Sequence, residues 1–258
     1  MPLYIKNNKV ISSSSITSTG VFKQKINRDG LVLHLDAADI DSYSYPSNIW
    51  YDLSGNGNNF TINTSAYNSS GVKYMDFNGS YGCAKKTDAD VSLSGNVTCI
   101  CWTRIKNSTA EWRTLLRGLS SGADHQVIVQ SGAWAIGMYD NTNSTGFNSC
   151  GFSQQSLPGY GTTAWNMLAW TWHDTEAPYY VFNYNGNVGS QQGPISSINA
   201  RFKHGFCSIG AYNNGSQSDV NASSQPWGDI AMISLYNRVL NSYEISEIFQ
   251  ATRGRFGI

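Results

Sequence analysis

The chain has 258 residues, with 17 basic and 17 acidic side chains, a formal net charge of zero and no run of Lys or Arg. Nucleic-acid and anionic-membrane partners need clustered cations, so neither is expected. No stretch of about 18 apolar residues is present either, so no membrane insertion by a helix is expected. Aromatic residues make up 13% and charged residues only 13%, with Asn, Ser, Thr and Gly plentiful. That composition suits many short strands joined by polar turns, because aromatic and β-branched side chains fit pleated surfaces.

The first 29 residues differ from the rest. Leu-Tyr-Ile at 3–5 and Lys-Val-Ile at 9–11 read as two short strands joined by Asn7 and Asn8. The Ser/Thr-rich stretch at 12–20 reads as a linker or extended arm. The start lacks the apolar stretch of a signal peptide, so the mature chain is expected to begin at Met1 or Pro2. The main domain is expected over 30–258.

Within it, Leu-Val-Leu-His-Leu at 31–35 is a short apolar strand. Asp-Leu-Ser-Gly-Asn-Gly-Asn-Asn at 52–59 is a turn. Residues 74–77 read as a strand ending in Asn78 and Gly79. Residues 97–105 are apolar on both faces, which predicts a central strand buried on both sides. A hairpin is expected from 126–130 to 134–139 through Ser131 and Gly132. Strands at 165–173 and 179–184 follow, the second running into Asn185-Gly186, the best hairpin turn in the chain. Two more strands are read at 206–211 and 228–236. The chain closes with a helix: Asn241 as N-cap, Glu244 completing a capping box, Leu240 and Ile245 as a staple, and Gly254 ending it. Strands and turns at this spacing predict an all-β sandwich.

The five cysteines, Cys83, Cys99, Cys101, Cys150 and Cys207, are an odd number. With no signal peptide, this argues for reduced thiols and synthesis in a cytoplasm. Cys99 and Cys101 share one face of a strand and read as core fillers.

Several segments together resemble a known superfamily. They are Asp29 to Ala38, Trp50 to Asn59, Tyr74 to Gly79, and Gly228 to Leu240 with the helix carrying Glu244. The series resembles the laminin-G-like members of the concanavalin A-like lectin/glucanase superfamily. The Ala-Thr-Arg-Gly-Arg-Phe-Gly tail at 251–257 is similar to domains of tailed-phage virion proteins. The resemblance implies a two-sheet antiparallel jelly-roll sandwich, concanavalin A-like, with a short C-terminal helix. It does not fix function, since one fold hosts lectins, glycanases and assembly modules.

Glycoside hydrolysis needs two carboxyls across the scissile bond. The Glu-x-Asp-x-x-Glu motif typical of glycanases on this fold is absent, and the glutamates lie in loops or the terminal helix. Asp36, Asp39 and Asp41 read as turn residues. No histidine lies in a nucleophile motif, and His34 reads as a core or interface histidine. The resemblance also implies a structural Ca²⁺, which takes hard oxygen ligands. Its candidate ligands are Asp36, Asp52, Asn56 and Asp229, against a plain turn role for Asp52 and Asn56. Glycan binding asks for exposed aromatics among polar side chains. Trp112, Trp134, Tyr139, Tyr160, Tyr212 and Trp227 are the candidates, against a core or inter-subunit role.

These readings converge on a non-catalytic virion structural protein, assembled in the host cytoplasm. Other virion proteins and further copies of the chain are its expected partners, with host-surface glycans as targets. The alternative is a lectin whose main role is glycan recognition.

Overall fold

The computed structural model describes residues 4–6, 9–11, 26–79, 82–86, 91, 93, 95–107, 111–117, 125–140, 146–160, 164–177, 179–193, 208–211 and 225–258. In chain order the strands are β1 (Tyr4–Lys6), β2 (Lys9–Ile11), β3 (Leu31–Asp36), β4 (Ile49–Trp50), β5 (Phe60–Thr61), β6 (Tyr67–Asn68), β7 (Tyr74–Phe77), β8 (Ala84–Lys85) and β9 (Val97–Ile105). They continue with β10 (Arg113–Arg117), β11 (His125–Val129), β12 (Ala135–Asp140), β13 (Gly146–Ser153), β14 (Asn166–His173), β15 (Tyr179–Tyr184), β16 (Asn187–Gln192), β17 (Ser208–Ile209) and β18 (Gly228–Tyr236). Helix α1 (Ser242–Thr252) follows.

The expected two-sheet antiparallel sandwich with a C-terminal helix is the fold observed. One sheet runs β16-β15-β14-β9-β18-β7-β6, with β3 also paired to β18. The other runs β13-β12-β11-β10-β17-β8-β5-β4, and among the described residues β1 pairs only with β2. Every described pairing is antiparallel. The main core lies between the large sheets. Val97, Cys99, Cys101, Leu168, Trp170, Ile233 and Leu235 face Trp50, Phe60, Leu116, Val127, Val129 and Ile136 across it.

The two-sided apolar pattern of β9 has a physical cause. Its alternate residues Ile100 and Trp102 face away from the main core, into a second cluster with Met167, Ala169, Met232, Leu240, Ile245, Ile248 and Phe256. Helix α1 therefore roofs the outer face of β14, β9 and β18. Asn241 accepts from the Glu244 amide, and Glu244 accepts from the Asn241 amide, so the capping box is complete. Gly254 does not end the helix. It lies in a 3₁₀ turn (Arg253–Phe256), and Gly257 supplies the left-handed residue at φ 77°. The Asn185-Gly186 turn is as expected, with φ of 48° and 77°. The Ser/Thr-rich stretch at 12–20 lies outside the described residues.

Candidate functional site

One end of the sandwich gathers four chain segments: the end of β9 with Lys106 and Asn107, the start of β10, the β11–β12 turn, and the 3₁₀ turn (Gln154–Ser156) after β13. Two groups of rings form there. Trp112, just before β10, meets Tyr139 edge-on at 5.2 Å and Phe147 at 5.8 Å. Tyr139 and Phe147 stand opposite one another in the β12–β13 register. They lie together because β12 alternates: Ile136 and Met138 point into the core, which turns Tyr139 outward. Trp134 meets Tyr160 edge-to-face at 5.1 Å, and the Tyr160 hydroxyl donates to Asn107 Oδ1 at 3.0 Å. Trp112, Trp134, Tyr139 and Tyr160 are all half-buried, with an apolar face and a wet edge.

So four of the six aromatic candidates meet in pairs, Trp134 with Tyr160 at the start of β12 and Trp112 with Tyr139 towards its end. Trp227 does not join them. It was expected to face a ligand, but it is fully buried in the main core, and its indole N–H donates to Thr103 Oγ1 at 2.9 Å. Its backbone bridges Gly210 and Lys106, which locks the ring inward ahead of β18. Tyr212 lies outside the described residues.

Sequence reading missed four polar or aromatic members of the site: Asn107, Arg113, Phe147 and Gln154. Arg113 is fully buried, and its guanidinium stands over the Trp134 ring at 5.2 Å. Burial pulls its pKa down to about 10, with Glu111 and Tyr160 acting the other way. Gln154 is also buried, and its backbone N–H donates to the Trp134 carbonyl at 2.8 Å. The available signal was a pair of arginines flanking an apolar Leu-Leu step, Arg-Thr-Leu-Leu-Arg.

The four calcium candidates are already engaged, and only Asp52 and Asn56, which share Ser54, lie in one turn. Asp36 holds Arg255 through both oxygens, at 2.6 and 2.8 Å. The Asp52 carboxylate accepts four bonds, from the amides of His34, Ser54 and Asn58 and the Ser54 hydroxyl. The Asn56 amide donates to the Leu31 carbonyl and to Ser54. Asp229 pairs with Arg104, and burial raises its pKa to about 6, helped by Asp76 and opposed by Arg104. These residues do not fit a calcium site, since hard-cation coordination needs several oxygens free and convergent. Among the described residues, no three His, Cys, Asp or Glu side chains are grouped to hold a metal ion.

The carboxylates near the rings are similarly committed. Glu111 is ion-paired with Lys106 at 2.6 Å. Glu244 caps α1 and also holds Arg238 at 2.7 Å, and Glu247 accepts from Tyr243.

His34 is a satisfied core histidine, its Nδ1 2.9 Å from Ser234 Oγ. Burial is the main influence on the ring and lowers its pKa, while Asp36, Asp39 and Asp52 pull the other way. The unfolded chain therefore takes up the proton first as pH falls. The stability His34 contributes is complete above about pH 6.5 and is lost on acidification below it. His34→Asn keeps a nitrogen near Ser234 and does not titrate. It is expected to flatten the loss of stability between about pH 6.5 and pH 5, measured by denaturant titration. Identical slopes in the two proteins would place the acid sensitivity elsewhere.

No family model matches the sequence, and no curated protein matches it. Solved structures do match. Trypanosoma rangeli sialidase in complex with sialic acid is 15% identical, with a TM-score of 0.54 over 87% of this chain and 33% of the sialidase. The likeness is one of fold. The ligand-binding domain of botulinum neurotoxin serotype D, solved with N-acetylneuraminic acid, is 12% identical, with a TM-score of 0.55 over 86% of this chain and 51% of that one. The receptor-binding domain of a botulinum neurotoxin C/D mosaic reaches a TM-score of 0.59 at 12% identity, over 87% and 52%. The chain thus spans from a third to about half of the chains it matches.

Proposed function

We propose that this chain is a non-catalytic carbohydrate-binding module, with its binding surface along β12, between the Trp134–Tyr160 and Trp112–Tyr139 pairs. The observation that carries this reading is the pair of half-exposed ring groups flanked by Asn107 and Gln154. Sugar rings present apolar C–H faces and polar edges. A site for them combines aromatic planes with a few fixed hydrogen-bonding groups. The solved neighbours that hold sialic acid support the same reading.

A glycan array probed with the whole chain tests it. Trp112→Ala and Trp134→Ala are each expected to weaken binding about tenfold or more while leaving the fold intact, because each ring lies at the rim of the sandwich. Unchanged binding in both variants would move the site elsewhere. No hydrolysis of a bound polysaccharide is expected, and turnover abolished by a single carboxylate change would reverse the non-catalytic reading.

The setting we infer is a phage virion, on the strength of the laminin-G-like segments and the 251–257 tail. The β1–β2 hairpin, paired only with itself among the described residues, supports an arm that joins other virion proteins or further copies of the chain. Repeated copies would then give avidity to weak individual sugar contacts. A chain fixed on the particle that binds no glycan would leave assembly as its role. A monomer that binds host polysaccharide without any partner would leave recognition.

A further inference from the structure

Among the described residues, Arg113 is a buried cation with no carboxylate hydrogen-bonded to it. Its Nε and Nη1 have no hydrogen-bond partner among the described residues, and Nη2 reaches the Ala133 carbonyl only at 3.5 Å. Glu111, the carboxylate whose charge acts on it, is taken by Lys106. Taking a guanidinium out of water and leaving it unpaired is costly, and in a settled core such a group has a carboxylate beside it.

A second unmet group lies on the 3₁₀ turn after β13. Gln154 spends its Nε2 on the carbonyls of Ile105 and Lys106, at 3.4 and 3.3 Å, but its buried Oε1 has no donor. The Gln154 backbone is tied to Trp134, the ring that covers Arg113. So the end of the sandwich holds an unspent cationic donor set and an unspent acceptor beneath the Trp134–Tyr160 pair. A neutral hexose offers nothing to balance the guanidinium. A sugar acid offers a carboxylate that can take two N–H groups of the guanidinium at once, and a hydroxyl or amide N–H for the glutamine oxygen.

We propose that the ligand of this site is an acidic sugar, with its carboxylate on Arg113, a hydroxyl or amide N–H on Gln154 Oε1, and a ring face against Trp134. This deepens the carbohydrate-binding reading and rests on it. Trp134 over Arg113 and its partner Tyr160 are themselves half-exposed, so the ligand reaches the guanidinium by turning ring edges aside at the rim, without opening the inter-sheet core.

The test uses the whole chain and four probes: N-acetylneuraminic acid, glucuronic acid and the methyl ester of each, followed by ligand-observed NMR. An acid is expected to bind about tenfold to a hundredfold tighter than its own ester, the range that charged hydrogen bonds give. Which acid shows the preference separates sialic from uronic sources. Arg113→Met is expected to erase the preference and to melt at a higher temperature than the parent, because an apolar side chain replaces an uncompensated charge. Arg113→Lys keeps the charge without the planar fork and is expected to lose most of the preference. Trp134→Ala should weaken acid and ester alike. Equal binding of acid and ester by the parent protein would overturn the acidic-sugar assignment while leaving a neutral-glycan module standing. So would a preference that survives in Arg113→Met, or one that is undiminished in Arg113→Lys. If neither acids, esters nor neutral glycans bind, the carbohydrate reading itself falls, and this inference falls with it.

Discussion

Replacing Trp102 with Ala is expected to lower folding stability by about 3–5 kcal/mol, the range for truncating a buried large aromatic. Trp102 is fully buried on the outer face of β9, where it is the hinge of the second core. Its ring stacks on Phe256 at 3.9 Å and 12°, and on Phe249 at 5.8 Å. Its indole N–H donates to Thr252 Oγ1 at 2.7 Å, and that hydroxyl in turn donates to the Ile248 carbonyl. Truncation thus leaves a cavity and removes the donor that ties the end of α1 to the sheet. Denaturant unfolding gives the magnitude. Hydrogen exchange gives the location: amides of α1 should lose protection more than those of β10, β11 and β12. A loss below about 1 kcal/mol would mean that the helical roof is dispensable to the cooperative unit.

Gly228→Ala is expected to be nearly as damaging, by about 3 kcal/mol or more. The residue opens β18 at φ 128°, a region L side chains rarely occupy. A Cβ there would lie 2.2 Å from the Arg104 carbonyl oxygen and 2.6 Å from the Lys106 amide nitrogen. Both are backbone atoms of the adjoining chain, so relief requires β9 and β18 to part at their paired end. The same movement would displace Lys106 and Asn107 from the ring groups. Sugar binding should therefore fall together with the denaturation midpoint. Native-like stability in this variant would show that the close approach of the two strands is not maintained in solution.

The long strands were legible because their patterns are long. The strands at 74–77, 97–105, 179–184 and 228–236 are where the periodicity put them. Ile49–Trp50, Phe60–Thr61, Tyr67–Asn68 and Ala84–Lys85 were not legible, since two residues carry no period. Gly146–Ser153 and Asn187–Gln192 were missed for another reason. Both are sheet edges, rich in Gly, Ser, Asn or Gln and largely accessible to water, so neither face needs to be apolar. Arg113–Arg117 was hidden by charges at its two ends, each buried. For the candidate site, the sequence singled out aromatics but could not pair them. Trp112 meets Tyr139, and Trp134 meets Tyr160, only because β10, β11 and β12 lie side by side and the chain after β13 doubles back. Trp227 sits among polar neighbours in sequence just as they do, yet its backbone bonds to Gly210 and Lys106 turn it inward.

The position of β18 has a consequence for how the molecule is made. It is the last of the described strands, yet it lies in the middle of its sheet, bonded to β3, β7 and β9. While the chain is still emerging from the ribosome, β3 has no place to dock and β9 lacks one of its two neighbours. The outer face of β9, with Trp102, stays uncovered until the final thirty or so residues arrive. Strand pairing that waits on distant segments is slow and leaves unpaired edges open to other chains. Nascent copies held close together on one polysome would be the partners most at hand. Expression slowed near the codons for β18 should therefore yield more insoluble chain than the same slowing placed near β4.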